Sequence, residues 1–82
     1  MAYEVEFSPT AKKNLDLLDK QIVIRVLKKL KEIKENPARY VKRLVDSELL
    51  TLRVGDYRVL LLVIDNKLKI VNVGHRSKIY EM

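Results

Sequence analysis

Hydrophobic and polar residues change rhythm twice along this chain. Tyr3, Val5 and Phe7 alternate with Glu4 and Glu6, a period of two that predicts a short strand. Ser8-Pro9 follows: an N-cap residue, then a proline at the first helical position, where a missing N–H leaves no helical bond unmade. Leu15 and Leu18 share a face of the helix that starts there. Ile22, Val26, Leu30 and Ile33 recur at steps of four, four and three, an apolar helical stripe. Asp19 is placed to cap this second helix, making a helical hairpin, and Asn36-Pro37 ends it.

Residues 38 to 48 read as a connection. Beyond it the period returns to that of strands in three runs: Leu49 to Val54, Tyr57 to Ile64, and Leu68 to Val73. Gly55-Asp56 and Asp65-Asn66 separate them, and such residue pairs close tight hairpins. The predicted architecture is α+β. An N-terminal strand and a helical hairpin precede a three-stranded antiparallel meander, all in one sheet with the helices on one face. Residues 1–82 form a single domain.

Counting from the two turns sets a register. With Gly55 and Asp56 as loop residues, Val54 pairs with Tyr57 and Arg53 with Arg58. With Asp65 and Asn66 closing the second hairpin, Ile64 pairs with Lys67 and Arg58 falls opposite Val73. Arg76, three residues beyond Val73, leaves the sheet where Arg58 enters it. Arg53, Arg58 and Arg76 therefore converge, with His75 and Tyr80 in the tail beside them. Like charges placed opposite one another are unfavourable. The arrangement is tolerable where an anion occupies the site, and the planar fork of arginine suits phosphate. Alternatively, each arginine pairs with a nearby carboxylate such as Asp46, Glu48 or Asp56.

The run Tyr57 to Ile64 is apolar on both faces. Helices cover one face, and Leu49, Leu60 and Leu62 are expected to show on the other, as a partner surface. The alternative is that the connection 38–48 and the C-terminal tail cover it.

Composition narrows the function. A chain of 82 residues is one domain and buries only about 60–65% of its unfolded surface. At 48% hydrophobic residues it is not disordered. It has no cysteine, which excludes disulfides and thiolate metal sites and is compatible with the cytoplasm. The first residues, MAYEVEFSP, do not read as a signal peptide, and no apolar run approaches the roughly 18 residues of a membrane span. The net charge of +6 points to an anionic partner, nucleic acid ahead of membrane. Lys28, Lys29, Lys31 and Lys34 fall mostly off the apolar stripe and read as a solvated face rather than an RNA reader.

The opening strand with FSPTAKKNLDLL, the ENP helix stop, LRVGDYRVLLLVID and the terminal VNVGHRSKIYE together resemble the RelE/ParE toxin superfamily over essentially the whole chain, with RelE-like mRNA interferases as the nearer branch. The resemblance implies a toxin of a type II toxin–antitoxin system that cleaves mRNA in the ribosomal A site, inhibits translation and is held by a RelB-like antitoxin. It implies no cofactor, no metal and no membrane partner. ParE-like members share the fold and inhibit DNA gyrase. A non-enzymatic RNA-binding module is the third reading.

By the resemblance, the catalytic arginines fall on Arg58 and Arg76, and the base-stacking tyrosine on Tyr80, two residues nearer Arg76 than in the best-known members. Two strand lysines of those members are replaced here by Leu49 and Thr51. Arg53 remains to strengthen the field, and Lys42, Arg43 and Lys78 are further RNA-binding positions. The antitoxin falls to Leu49, Leu60 and Leu62. His75, the only histidine, is a possible acid or base. No Asp, Glu and His cluster has metal-ligand spacing. A site of arginines suits RNA cleavage because RNA brings its own nucleophile, the 2′-hydroxyl.

Overall fold

Ser8 shows how local chemistry sets this fold. In the computed structural model, which describes residues 2–81, it ends strand β1 (Glu4–Phe7) and caps helix α1 (Pro9–Asp16). Its hydroxyl accepts from the Ala11 N–H at 3.0 Å and donates to the Val71 carbonyl at 2.8 Å, so one side chain ties helix to sheet. Helix α2 (Lys20–Ile33) follows after a short turn. Asp19 stands at its N-cap, but the side chain makes no capping bond there, contrary to the capping role expected of it. A 3-10 turn at Pro37–Arg39 follows the end of α2.

The sheet has strands β2 (Val41–Arg43), β3 (Leu50–Val54), β4 (Tyr57–Ile64) and β5 (Lys67–His75) in addition to β1. Its order is β1-β5-β4-β3-β2, with β1 parallel to β5 and the other pairs antiparallel. Strand β2 is an addition to the predicted meander. The connection 38–48 holds a short edge strand, paired through Val41↔Leu52, Lys42↔Thr51 and Arg43↔Leu50. Three residues are too few to display a period of two.

Both hairpins close as their turn residues dictate. Gly55 has φ +59°, and Asp65 and Asn66 both take positive φ, as the primed turns of tight hairpins require. Val54↔Tyr57, Arg53↔Arg58 and Ile64↔Lys67 all hold. Further along, the count fails by one. A β-bulge in β5 places Leu60 opposite Asn72 but Leu61 opposite Ile70, so Val71 is the extra residue and Arg58 faces Gly74 rather than Val73. The structure accommodates the bulge with side chains. Ser8 takes the Val71 carbonyl, and the Asn72 amide oxygen accepts from the Val73 N–H at 2.9 Å and from Asn14 of α1 at 2.6 Å.

The core lies between the helices and one sheet face. Ala11, Leu15, Val26, Leu30 and Ile33 meet Leu52, Val54, Val59, Leu61, Leu68, Ile70 and Val73. The slip turns Val73 inward, where it is fully buried. The other face carries Thr51, Leu60 and Asn72 in one row and Arg53, Arg58 and Gly74 in the next. Further along, Glu6 reaches Lys67 at 3.1 Å and Lys69 at 3.8 Å. The hydrogen bond to Glu6 holds the Lys67 ammonium above its ordinary range. No helix among the described residues is long and apolar enough to cross a membrane.

The face opposite the helices is only partly open. A second 3-10 turn, Ile79–Glu81, folds back, and Ile79 is 1% exposed. Leu60 is 7% exposed, which corrects the expectation that it shows to solvent. Leu49 and Leu62 are half-buried. The tail adds one buried residue, Ile79, to this face and leaves the rest partly open.

Candidate active site

Three strands bring cations to one hollow. Lys42 on β2 lies opposite Thr51 on β3. Two residues along β3, Arg53 lies opposite Arg58 on β4. Side chains two apart on a strand share a face, so all four point the same way. Together with Tyr40 they line a cavity of about 230 Å³. The lining residues carry three cations and no carboxylate.

Arg58 explains how this sheet tolerates paired arginines. Its Nη1 donates to the Gly55 carbonyl at 3.0 Å and to the Tyr57 carbonyl at 2.9 Å. The guanidinium is drawn back onto the hairpin turn, whose carbonyl oxygens offset part of the repulsion from Arg53. Charge-assisted bonds of this kind also fix its orientation. The Thr51 hydroxyl is buried and has no hydrogen-bond partner among the described residues.

The other expected residues divide between this hollow and its surroundings. Arg76 reaches the same end of the sheet, where its N–H donates to the Asp56 carbonyl at 2.8 Å and its Nε lies 3.8 Å from the Asp56 carboxylate. Both side chains are well exposed, and Arg76 does not line the cavity. His75 pairs with Tyr57, its ring edge-on at 5.3 Å. That pair lies on the sheet face opposite Arg58. His75 Nδ1 accepts from the Ser77 N–H at 3.1 Å and lies 2.8 Å from Ser77 Oγ, so the proton of the neutral ring sits on Nε2. Arg43 is one step from Lys42 and so lies on the opposite face. Lys78 is exposed in the turn after β5, its N–H bonded to the His75 carbonyl.

Tyr80 is 54% exposed and lines a second, apolar groove of about 490 Å³ with Leu44, Val45, Ser47, Leu49, Leu60 and Ile79. The two depressions adjoin across the Thr51–Leu60 pair. A base in the groove and its phosphate in the cationic hollow would be neighbours.

Sequence reasoning missed Tyr40 and Thr51 as lining residues. Tyr40 lay in a segment read as a connection. Thr51 stood out only as a departure from a lysine, although its place two residues before Arg53 already put it on the same face.

Comparison with known proteins follows the same lines. Residues 5–80 match the family model described as the ParE toxin of type II toxin–antitoxin systems, parDE. Among solved structures, the chain resembles a RelBE toxin–antitoxin complex from Mycobacterium tuberculosis, at 28% identity over 93% of this chain and 100% of that one, with a TM-score of 0.83. It resembles the RelE–RelB complex of Pyrococcus horikoshii at 28% identity, over 95% of this chain and 99% of that one, with a TM-score of 0.78. A mutant of the E. coli toxin RelE in the free state is 31% identical, with coverage of 99% of this chain and 93% of that one and a TM-score of 0.73. No curated protein matches the chain in sequence.

Proposed function

The chain belongs to the ParE toxin family of type II toxin–antitoxin systems, within the RelE/ParE superfamily, and from that premise we propose that it is an endoribonuclease that cleaves mRNA on the ribosome. The observation that carries this reading is the hollow of Lys42, Arg53 and Arg58, three cations with no carboxylate among them. A scissile phosphate seated there has its developing charge met by donors already in place. The 2′-hydroxyl of the preceding ribose gives up its proton to a base as its oxygen bonds to phosphorus, the bond to the 5′-oxygen breaks, and the leaving oxygen takes up a proton from an acid. Guanidiniums stay protonated throughout and serve as charge. Lys42 and Tyr40 are the lining groups able to exchange a proton with the substrate. Tyr80, exposed beside the hollow, stacks on a base, a contact worth about 1–3 kcal/mol.

The decisive experiment sets purified ribosomes carrying a defined mRNA beside a gyrase supercoiling assay. Site-specific cleavage leaving a 2′,3′-cyclic phosphate or 3′-phosphate and a 5′-hydroxyl is the expected result. Intact mRNA together with inhibited supercoiling would establish the second reading, a gyrase inhibitor, which the ParE family match favours. Products with 5′-phosphates would refute attack by the 2′-hydroxyl.

The partner follows from the same family. Solved relatives are complexes of RelE with RelB, and we propose an antitoxin of that kind here. The apolar groove around Leu49 and Tyr80, continuous with the cationic hollow, suits an amphipathic segment carrying acidic side chains. Leu62 extends this surface along β4. Leu60 lines the groove but is only 7% exposed, so more of its surface is reached only if the Ile79 turn moves.

A further inference from the structure

A second cationic hollow lies behind the first. It is about 330 Å³ and is lined by Arg25, Lys28, Lys29 and Glu32 of α2 with Val54 and Gly55 of the hairpin. Glu32 lies 3.6 Å from Lys29. Among the described residues, Arg25 and Lys28 have no ion-pair partner. Arg25 lies directly over the turn: a Cβ on Gly55 would come within 2.7 Å of its Nη2. Gly55 is thus enclosed by two arginines, since its carbonyl accepts from Arg58 on the other side. Its absent side chain lets Arg25 approach.

The two hollows are joined at the sheet edge. Val54 lines one and Arg53 the other, and consecutive strand residues face opposite ways. Strand β2 begins at Val41, opposite Leu52, so beyond that pair Arg53 and Val54, paired with β4 on one side, have no strand on the other. Tyr40 fills the corner. Its ring lies under Lys29 Nζ at 5.1 Å and lines the first hollow as well. Cations thus follow one another round this edge, from Lys42 and Arg53 past Tyr40 to Lys29, Lys28 and Arg25.

The geometry points to a second phosphate-binding site at Arg25 and Lys28, which holds the RNA backbone outside the reacting phosphate as the strand rounds the Tyr40 edge. That the anion is RNA rests on the ribonuclease reading. The site itself rests on the charge and the hollow. Lys28, which the sequence presents as part of a solvated face, acts here with Arg25 as a clamp: the two add affinity without reading bases.

The salt dependence of binding tests this. A non-cleavable 2′-O-methyl RNA of twelve nucleotides is titrated with toxin between 50 and 200 mM salt. Each phosphate contact on a single strand contributes about 0.7 to the slope of log K against log salt. Arg25→Ala/Lys28→Ala should lower the slope by about 1.4, which makes the affinity loss across that range about sevenfold smaller. Arg25→Lys/Lys28→Arg should leave the slope as it was, and circular dichroism verifies that both variants are folded. A slope unchanged in the alanine variant overturns the second site. Absence of RNA binding by the unmodified protein, or tighter binding of duplex DNA at equal salt, overturns it too. Lys42→Ala/Arg53→Ala, measured alongside, reports on the first hollow. If only that variant leaves the slope unchanged, the second site stands and the first hollow loses its role.

Discussion

Replacing Arg58 with alanine should separate function from stability. The side chain donates two hydrogen bonds to turn carbonyls, one exposed and one partly buried, and fills no core position. At such sites each bond contributes about 0.5–1 kcal/mol. Removing the guanidinium also relieves its opposition to Arg53, which offsets about 0.2–1 kcal/mol. The net loss is about 1 kcal/mol, or about 4–8 °C in Tm for a domain of this size. By contrast, removing a donor preorganised for developing charge costs about 10²–10³ in rate. Arg58→Ala should therefore melt cooperatively and close to the parent, while cleavage of ribosome-bound mRNA, followed by primer extension, falls at least a hundredfold. Arg58→Lys should recover part of the rate, keeping the charge but not the paired donors. Loss of the cooperative transition, or a fall in Tm above about 15 °C, would recast Arg58 as structural. Cleavage within about threefold of the parent would remove it from the chemistry.

Further expectations follow from particular contacts. Arg76→Ala should lower cleavage less than Arg58→Ala in the same assay, because Arg76 stands outside the hollow and partly neutralised by Asp56; an equal or larger loss would place it on the substrate. Ile79→Ala should destabilise the domain by about 2–3 kcal/mol in urea and raise binding of a hydrophobic dye, since Ile79 is buried in the tail that folds over Leu60; a change below about 0.5 kcal/mol would mean that the tail is not packed. Ser8→Ala should cost about 2 kcal/mol in thermal unfolding, about 1 for the helix cap and about 1 for the bond to Val71. Ser8→Asp restores the cap but, ionised, has no proton to donate to the Val71 carbonyl; full recovery by that variant would show that the bond to the bulge contributes nothing.

Much of this protein was legible in one dimension. The alternation around Val5, the Ser8-Pro9 start, the stripe through Val26 and Leu30, and the two turn pairs all act through neighbours in sequence. Each appears where it was expected. The Arg53–Arg58 pair was equally legible, because a two-residue turn leaves no freedom in the register next to it. Tertiary structure decided the rest. Strand β2 forms because β3 offers it an edge. The bulge at Val71 is held by Ser8 on the Val71 carbonyl and by Asn72 on the Val73 N–H, with Asn14 fixing the Asn72 amide, and these bonds span up to 63 positions in the chain. That single extra residue turns Val73 into the core and Gly74 towards Arg58, and no local pattern records it. The same holds for the sides taken by Lys42, Arg43 and His75, which depend on pairing partners distant in sequence. Periodicity fixes which residues share a face of an element. Only packing between elements decides which faces meet, and the cationic hollow is a product of that meeting.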